Sequence, residues 1–239
     1  MLVIEHLSKV YKGTDKGVKD ISLHVEPGDI YAFIGHNGAG KTTLLKAITG
    51  IHEYDSGSVT VNGVDLREDP KAVKESIAYI PDNPDIYDFL TGIQYLNLIA
   101  DIYGVSAADR ERLIAEHAGR FEITGSLGDL ISSYSHGMKQ KLVLISAFLH
   151  SPKLIIMDEP FVGLDPKAAF VLKEQMRSMT SAGGAIFFST HVLDVAEKLC
   201  NKVAIIKDGR LIACGAMDEV APEGVSLEEL FMETVGLTS

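Results

Sequence analysis

The sequence predicts an α/β fold with a mostly parallel sheet, a small antiparallel β subdomain and a helical insert. Short apolar runs of strand length alternate with helical patterns along much of the 239 residues, which is typical of a parallel sheet. A glycine-rich loop joins one of these strands directly to a helical pattern. Between Thr91 and His150 the apolar residues recur at three- and four-residue spacing instead, which indicates helices.

The N-terminal part is predicted to consist mainly of strands. Apolar runs predict strands at residues 2–6, 21–25, 30–34, 58–61 and 77–80. The third of these runs into the glycine-rich loop, after which the residues LLKAI continue at helical spacing. The first strands have an antiparallel character, so we expect them to form the smaller sheet.

The C-terminal part returns to strands that alternate with helices. Strands are predicted at residues 153–157, 185–189, 203–206 and 211–214, and helices at residues 166–180, 191–199 and 227–235. The chain is interpreted as a single domain, residues 1–239, with a core formed by residues 1–83 and 151–214 and a helical insert at residues 84–150. Residues 215–239 form an acidic extension with six Asp and Glu residues and no Lys or Arg. A solvated helix is the preferred interpretation of this extension, and a regulatory or dimer-stabilising element is the alternative.

Charge and hydropathy limit the partners of the chain. The 33 acidic and 22 basic residues give a net charge of -11, which argues against a surface built to bind nucleic acid, so no nucleic-acid partner is expected. No apolar run reaches the ~20 residues that a membrane-spanning helix needs. The N-terminus lacks the charged start, long apolar centre and cleavage site of a signal peptide. The sequence therefore predicts a cytoplasmic protein.

The glycine-rich loop carries a nucleotide-binding motif. Residues 35–42 read Gly-His-Asn-Gly-Ala-Gly-Lys-Thr and fit G-x-x-x-x-G-K-[ST], between a strand and a helix as the motif requires. The glycines let backbone N–H groups surround phosphates, Lys41 adds a positive charge between the β and γ groups, and the Thr42 hydroxyl is placed to bind Mg²⁺. The start of the helix adds a favourable dipole. The nucleotide-binding residues of this P-loop NTPase core are therefore expected to be Gly35, Asn37, Gly38, Ala39, Gly40, Lys41, Thr42 and Thr43.

Two acidic residues follow a strand that is predicted to be buried. Residues 154–157 are Leu-Ile-Ile-Met, and Asp158 and Glu159 come directly after them. Ligands of α/β sheets bind at the carboxyl ends of strands, and neighbouring strand residues point to opposite faces. Asp158 is therefore expected to face the Mg²⁺ held at Thr42, and Glu159 to polarise the water that attacks the γ-phosphate. A solvated acidic turn is the alternative for such a pair by itself.

Further motifs follow in the order of a known family. Residues 134–140 read Tyr-Ser-His-Gly-Met-Lys-Gln, residues 163–165 read Gly-Leu-Asp, and His191 follows a predicted strand. Together with the P-loop and the acidic pair, these motifs make nearly the whole chain similar to the nucleotide-binding subunit of an ATP-binding cassette (ABC) transporter. The resemblance implies that the chain binds ATP and Mg²⁺ and hydrolyses ATP to ADP and phosphate.

In this family two subunits meet head to tail, which implies a role for the segment at residues 134–140. Ser135 and Gly137 would face the γ-phosphate held by the other subunit. Tyr134, His136 and Met138 depart from the usual Leu-Ser-Gly-Gly-Gln signature. Because the two phosphate-facing residues are kept, we expect the shared site to work.

Two residues after the acidic pair are given roles by the same resemblance. Asp165 would lie at the seam between subunits, in a loop where Val162 replaces the usual serine. His191 would contact the γ-phosphate and orient Glu159 or the attacking water. A histidine without function at a helix start is the alternative for His191.

Tyr11 and Asp82 complete the predicted site. Tyr11 lies where the family has an aromatic residue that stacks on adenine, and a strand-edge tyrosine is the alternative. Asp82 takes the place of a family glutamine that reaches the magnesium and the water. A carboxylate can still bind Mg²⁺, so Asp82 is interpreted as a metal ligand. The alternative is an acidic turn between two prolines.

The predicted function is an ATPase subunit that energises a membrane transporter by ATP-driven dimerisation. The implied partners are integral-membrane permease subunits and a second ABC ATPase subunit, in a homodimer or a heterodimer. The chain would then lie peripherally on the inner face of the cell membrane, and its signature and Asp82 resemble those of bacterial export-type systems. A soluble ABC ATPase in an assembly or scaffold complex is the alternative. P-loop kinases and GTPases are disfavoured because neither needs the signature segment.

The aromatic residues of the insert allow two interpretations. Tyr87, Phe89, Tyr95 and Tyr103 could line a groove that receives a cytoplasmic helix of a membrane partner. They could equally form the core of the insert itself.

Overall fold

The computed structural model describes residues 1–222 and 224–235, which fold into two β-sheets flanked by helices. The strands are β1 Leu2–Val10, β2 Gly17–Val25, β3 Ile30–Ile34, β4 Ser56–Val61, β5 Val64–Asp65, β6 Ile77–Ile80, β7 Leu154–Asp158, β8 Ala185–Thr190, β9 Lys202–Lys207 and β10 Arg210–Ala216. The helices are α1 Lys41–Ile48, α2 Pro70–Ser76, α3 Gly92–Ile102, α4 Ala107–Arg120, α5 His136–Phe148, α6 Pro166–Ser181, α7 Leu193–Leu199, α8 Met217–Val220 and α9 Leu227–Val235.

The smaller sheet has the strand order β2-β1-β4-β5, and its strands pair antiparallel. A two-residue turn joins β4 to β5, where Asn62 and Gly63 have φ angles of 52° and 83°. Positive φ at both positions is the geometry of a type I′ hairpin, which Asn-Gly strongly favours. The antiparallel subdomain predicted from the first strands is therefore confirmed.

The larger sheet positions the candidate site. Its strand order is β10-β9-β3-β8-β7-β6, and its pairs are parallel except for the antiparallel pair of β9 with β10. Every residue of β3, β7 and β8 is buried, which explains why these strands are continuous apolar runs in the sequence. The carboxyl ends of β3, β8, β7 and β6 are neighbours at one edge, so the loops that follow them meet there.

Strand β3 separates two hydrophobic clusters. Its side chains alternate, with Ala32 and Ile34 in one cluster and Tyr31 and Phe33 in the other. The first cluster joins the large sheet to the helices of the insert, and the second joins it to α1 and the small sheet. The glycine-rich loop after Ile34 thus starts from a strand that is packed on both faces.

The predicted helical insert is present as α3, α4 and α5, and each helix begins with a side-chain cap. Thr91 and Gln94 form a capping box on α3, while Ser106 and Ser135 accept hydrogen bonds from the third residue after each of them. Leu96, Ile114 and Leu142 of the three helices are buried in the cluster that they share with the large sheet. The insert is therefore packed directly on the large sheet.

Several element boundaries differ from the sequence prediction. Strand β2 begins at Gly17 rather than at residue 21, and α7 begins at Leu193 rather than at His191. The sequence prediction also lacks β5, α2 and α8. Strand β5 and helix α8 are too short to produce a hydrophobic period. The start of α2 did carry a signal, because Asp69 caps the helix and Pro70 occupies its first turn.

The interpretation of the C-terminal helix as solvated is wrong for one of its faces. Leu227 of α9 is fully buried, and its N–H donates to Glu197 Oε2 of α7 at 3.2 Å. Leu230 and Phe231 also pack against the main cluster. Strand β10 continues to Ala216, beyond the predicted start of the extension. Residues 223 and 236–239 of the predicted extension lie outside the described residues.

Candidate functional site

The glycine-rich loop leads from β3 into the N-terminus of α1. Gly38 and Gly40 have φ angles of 84° and 112°, a region in which residues with a Cβ atom are strained. A Cβ atom on Gly40 would also lie 2.7 Å from the backbone oxygen of Gly17. The loop can therefore take this path only with glycine at position 40, and it leaves the first N–H groups of α1 free to bind an anion.

Lys41 extends its ammonium group back across the loop. The residue is only 7% exposed, and its Nζ donates to the Gly35 carbonyl oxygen at 2.7 Å. The same Nζ lies 3.4 Å from Glu159 Oε1, whose side chain is 12% exposed. Charges this poorly hydrated interact strongly, so Lys41 and Glu159 hold each other in place.

Asp158 is the last residue of β7 and is 2% exposed. Its Oδ2 accepts a hydrogen bond from Thr42 Oγ1 at 2.6 Å, and its Oδ1 accepts one from Ser189 Oγ. The structure therefore brings the Thr42 hydroxyl and the Asp158 carboxylate together, as the sequence predicted. An oxygen pair of this kind suits Mg²⁺, which usually takes one or two protein ligands and completes its shell with phosphates and water.

Glu159 is the next residue and has a φ angle of 48°. Its N–H lies 3.1 Å from Ser189 Oγ and 3.2 Å from the Ser189 carbonyl oxygen on the neighbouring strand β8. Its Oε2 lies 2.9 Å from Nδ1 of His191, and the His191 N–H donates to the same oxygen at 3.3 Å. Glu159 is thus held between Lys41 on one side and His191 on the other.

His191 owes its position to the end of β8 rather than to a helix. The strand ends at Thr190, and α7 begins only at Leu193. Since β8 lies between β3 and β7 in the sheet, its carboxyl end is next to both the glycine-rich loop and the acidic pair. The helix-start interpretation of His191 therefore does not describe its surroundings.

A cavity of about 270 Å³ lies over the glycine-rich loop. It brings the loop together with Tyr11, Asp82 and both residues of the acidic pair. The lining residues are Tyr11, Lys16, Gly17, His36, Asn37, Gly38, Gly40, Lys41, Thr42, Thr43, Asp82, Asp158 and Glu159.

Asp82 lies two residues beyond the end of β6, on the rim of this cavity. Partial loss of hydration, with the Asp158 and Glu159 carboxylates as the next causes, raises the pKa of Asp82 above its ordinary value. Three carboxylates that face one cavity repel one another, and a bound cation relieves this repulsion. The negative charge of Asp82 and Asp158 therefore favours a cation in this cavity, while Glu159 is already paired with Lys41 and His191.

Ser135, Gly137 and Asp165 form a second group that does not line this cavity. Ser135 is exposed and caps α5 by accepting from the Met138 N–H at 3.3 Å. A Cβ atom on Gly137 would lie 2.7 Å from the Gly163 carbonyl oxygen, so residues 135–137 pack closely on the loop before α6.

Asp165 joins the helix that follows Ser135 to helix α6. It caps α6 by accepting from the Ala168 N–H at 2.8 Å, and its Oδ2 pairs with Lys141 Nζ of α5 at 2.6 Å. The hydrogen bond from Lys141, followed by that from the Ala168 N–H, holds the pKa of Asp165 below its ordinary value. The site residues predicted from the sequence therefore fall into two separate groups on this chain.

Comparison with known proteins identifies the family. The family model described as ABC transporter matches residues 18–162. The ABC-type transporter ATP-binding protein EcsA of Bacillus subtilis (strain 168) is 36% identical over 220 residues, which are 90% of this chain and 89% of EcsA. The chain belongs to the ABC transporter family.

Solved structures agree with this assignment. A structure described as the ATP-binding subunit of an ABC transporter is 37% identical and superposes with a TM-score of 0.93, covering 98% of this chain and 99% of that one. The dimeric post-hydrolysis state of the ATP-binding cassette MJ0796 bound to ADP and Pi superposes with a TM-score of 0.83 at 19% identity, over 91% of this chain and 99% of that chain, and shows the same fold. The predicted resemblance and fold class are confirmed.

As a member of this family, the protein is an ATPase subunit that binds and hydrolyses ATP and energises a membrane transporter. Within residues 1–222 and 224–235, no helix has both the length and the apolar character needed to cross a bilayer. The predictions of an ATPase and of a transporter subunit are confirmed.

The sequence interpretation of this ABC ATPase missed several residues of the site. Lys16 and Gly17 line the cavity. Their position in the sequence a few residues after Tyr11 is what could have indicated that they belong to the site. Ser189 contacts both members of the acidic pair, although the sequence pattern indicates only that it lies in a strand. A polar residue at the carboxyl end of a buried strand was the available signal.

Of the four aromatic residues of the insert, some are buried in its core and others are exposed on its surface. Tyr95 is 7% exposed and belongs to the main cluster. Tyr103 stacks on His150 with ring centroids 3.7 Å apart. Tyr87 and Phe89 are 53% and 76% exposed and lie against each other. Only the last two therefore form an exposed aromatic surface.

Proposed function

We propose that this ABC ATPase hydrolyses Mg²⁺-bound ATP in the cavity over the glycine-rich loop, at an interface completed by a second ATPase subunit. We also propose that permease subunits hold the protein at the inner face of the cell membrane. The observation that carries this proposal is the convergence of Lys41, Thr42, Asp158 and Glu159 on one cavity at the carboxyl edge of the sheet. We infer a single ABC ATPase domain across residues 1–239, with a core from residues 1–83 and 151–214, a signature-bearing insert at 84–150 and an extension at 215–239.

The nucleotide is bound by the loop and by Tyr11. The backbone N–H groups of the loop and the N-terminus of α1 receive the phosphates, and the Lys41 ammonium turns from Glu159 toward the β and γ groups. Tyr11 lines the same cavity, and its ring is proposed to stack on the adenine. The residues of this set are Tyr11, Gly35, Asn37, Gly38, Ala39, Gly40, Lys41, Thr42 and Thr43.

Thr42, Asp158 and Asp82 are the residues that would hold Mg²⁺. Within the described residues no group of three or more His, Cys, Asp or Glu side chains could hold a metal by itself, so the phosphates supply the remaining ligands. When bound there, Mg²⁺ would neutralise negative charge on the phosphates. Ser189 keeps the Asp158 carboxylate oriented through its hydroxyl group.

Glu159 acts on the attacking water. Its carboxylate accepts a hydrogen bond from the water. As the water oxygen bonds to the γ-phosphorus and the bond to the bridging oxygen of ADP breaks, one water proton passes to the carboxylate and is then released with the products. His191 orients the carboxylate through its contacts with Oε2. The products are ADP and phosphate.

The second group of residues serves the site of the other subunit. Ser135 is exposed and begins a helix whose N-terminus attracts phosphate charge, together with the Gly137 N–H. Asp165 links α6 to α5 through its ion pair with Lys141, and we place this link at the interface between the two subunits. Because this chain has both a complete phosphate loop and an intact Ser135 and Gly137, two copies are sufficient to complete two sites. ATP binding then brings the copies together.

The exposed Tyr87 and Phe89 pair supports a docking surface for the permease. If so, affinity-tagged protein solubilised from membranes of its own host should co-purify with integral-membrane proteins. We expect Phe89→Asp to remove these proteins from the complex, because a carboxylate cannot replace the apolar contact. Phe170→Asp is the matched control, since Phe170 is 63% exposed on α6 and should tolerate the change. Full recovery of active protein without any membrane companion would favour the assembly-complex alternative instead.

The metal site is tested by Asp158→Asn. Asparagine keeps the shape and one acceptor but removes the charge that attracts Mg²⁺, so the gain in ATP affinity that Mg²⁺ normally provides should fall by about tenfold or more. The measurement is the Kd for ATP with Mg²⁺ and with EDTA. Asp208→Asn is the control, because Asp208 pairs with His36 at 3.9 Å but does not line the cavity. A Mg²⁺ dependence equal to that of the unmodified protein would rule out the proposed ligand role.

A further inference from the structure

The ring of Tyr11 is held by contacts with two residues outside its own loop. The Tyr11 hydroxyl lies 3.3 Å from His52 Nδ1, and the Thr43 hydroxyl lies 3.5 Å from the Tyr11 hydroxyl. The imidazole of His52 also meets the phenol ring edge-on, with centroids 6.2 Å apart and an interplanar angle of 89°. We propose that His52 is a positioning residue that holds Tyr11 in the orientation needed to stack on the adenine of ATP, an inference that rests on the proposed role of Tyr11.

The contacts with His52 and Thr43 bear on the Tyr11 ring itself rather than on its backbone. The residue is 38% exposed and begins a short loop closed by its backbone bonds with Lys16 and Thr14. Those bonds locate the backbone, whereas the contacts of the phenol hydroxyl with His52 and Thr43 act on the side-chain torsions that orient the ring. Ordering the ring before the nucleotide arrives removes an entropy cost from binding.

The hydrogen bonds form a chain with a consistent direction. The Thr43 hydroxyl donates to the Tyr11 oxygen. The single phenol hydrogen is then free to donate to Nδ1 of His52, which accepts when the imidazole carries its proton on Nε2. Each group in this chain therefore has a partner in a compatible role.

Helix α1 links both ends of this chain to the phosphate-binding loop. Thr43 lies in its first turn, and the backbone N–H of His52 donates to the Lys46 carbonyl oxygen in its last turn at 2.9 Å. The N–H of Ile51 donates to the same oxygen, which fixes the backbone leading to His52. One rigid helix thus sets the position of the base-stacking ring relative to the phosphates.

The expected effect is specific to ligands that carry a base. His52→Ala should raise the KM for ATP about twofold to tenfold and leave kcat unchanged. The inhibition constant of inorganic tripolyphosphate should not change, because that ligand has no ring to stack. His52→Asn should restore the ATP value, since its amide can approach the position of Nδ1.

The experiment measures KM for ATP and Ki for tripolyphosphate in the full chain bearing His52→Ala, His52→Asn, Tyr11→Phe, Tyr11→Ala and the Tyr11→Phe/His52→Ala pair. We expect Tyr11→Phe to raise the KM for ATP as much as His52→Ala does, and the double variant to raise it no further than either single change.

Equal effects of His52→Ala on ATP and on tripolyphosphate, or a His52→Ala effect that persists without the Tyr11 hydroxyl, would overturn the inference. A silent His52→Ala beside a damaging Tyr11→Ala would reject the positioning role alone. A silent Tyr11→Ala would reject the stacking role of Tyr11 and, with it, this inference.

Discussion

Replacing Glu159 with glutamine should slow ATP hydrolysis by about a hundredfold to ten-thousandfold while ATP binding is retained. Glutamine has the same shape and still offers an oxygen to the His191 N–H, which lies 3.3 Å from Oε2. It has no negative charge, however, so it polarises water poorly and no longer pairs with Lys41 Nζ, which lies 3.4 Å from Oε1. The ammonium is then available to the phosphates, and the bound nucleotide should keep two copies together.

Two measurements check this result. The turnover rate reports the chemistry, and light scattering after size-exclusion chromatography with Mg²⁺ and ATP reports the mass of the trapped species. Glu174→Gln is the matched control, because Glu174 pairs with Arg177 on the exposed face of α6 and should leave both readouts unchanged. Turnover close to that of the unmodified protein would exclude Glu159 as the residue that acts on water.

Lys41→Ala and Ser135→Arg should each abolish turnover, but for different reasons. Lys41→Ala removes a buried cation from the phosphate loop, so the Kd for ATP should rise by about a hundredfold. Ser135→Arg should leave ATP binding intact, since Ser135 does not line the cavity of its own chain. It should instead prevent the surface at residues 135–137 from meeting the phosphates of the other copy.

Folding controls are needed because both residues also have structural contacts. Ser135 caps α5, and loss of a cap costs about 1 kcal/mol. Thermal unfolding should therefore show both variants folded, with a modest shift for Ser135→Arg. A large loss of ATP binding in Ser135→Arg would contradict the separation of the two groups.

The parts of the site that lie close together in the chain were predictable from the sequence. Gly35 to Thr43 form a loop and helix start whose spacing is set by local geometry, and the apolar run before Asp158 shows that a buried strand delivers the acidic pair. The capped helix starts at Thr91, Ser106 and Ser135 follow the same local rules.

Contacts between distant segments could not be read from local patterns. The hydroxyl of Ser189 reaches Asp158 because β8 lies between β3 and β7, and this strand order is a property of the whole sheet. His52 reaches Tyr11 across 41 positions of the chain. The burial of Leu227 likewise depends on α7, so the acidic composition of the extension concealed its docked face.

The proposal that two copies share each ATP site is tested by mixing the two inactive variants. In a dimer of Lys41→Ala with Ser135→Arg, one site combines an intact phosphate loop with an intact signature, while the other site carries both changes. Random pairing of equal amounts should therefore restore about a quarter of the unmodified ATPase rate. A mixture as inactive as each variant alone would show that the signature of one copy does not complete the site of the other.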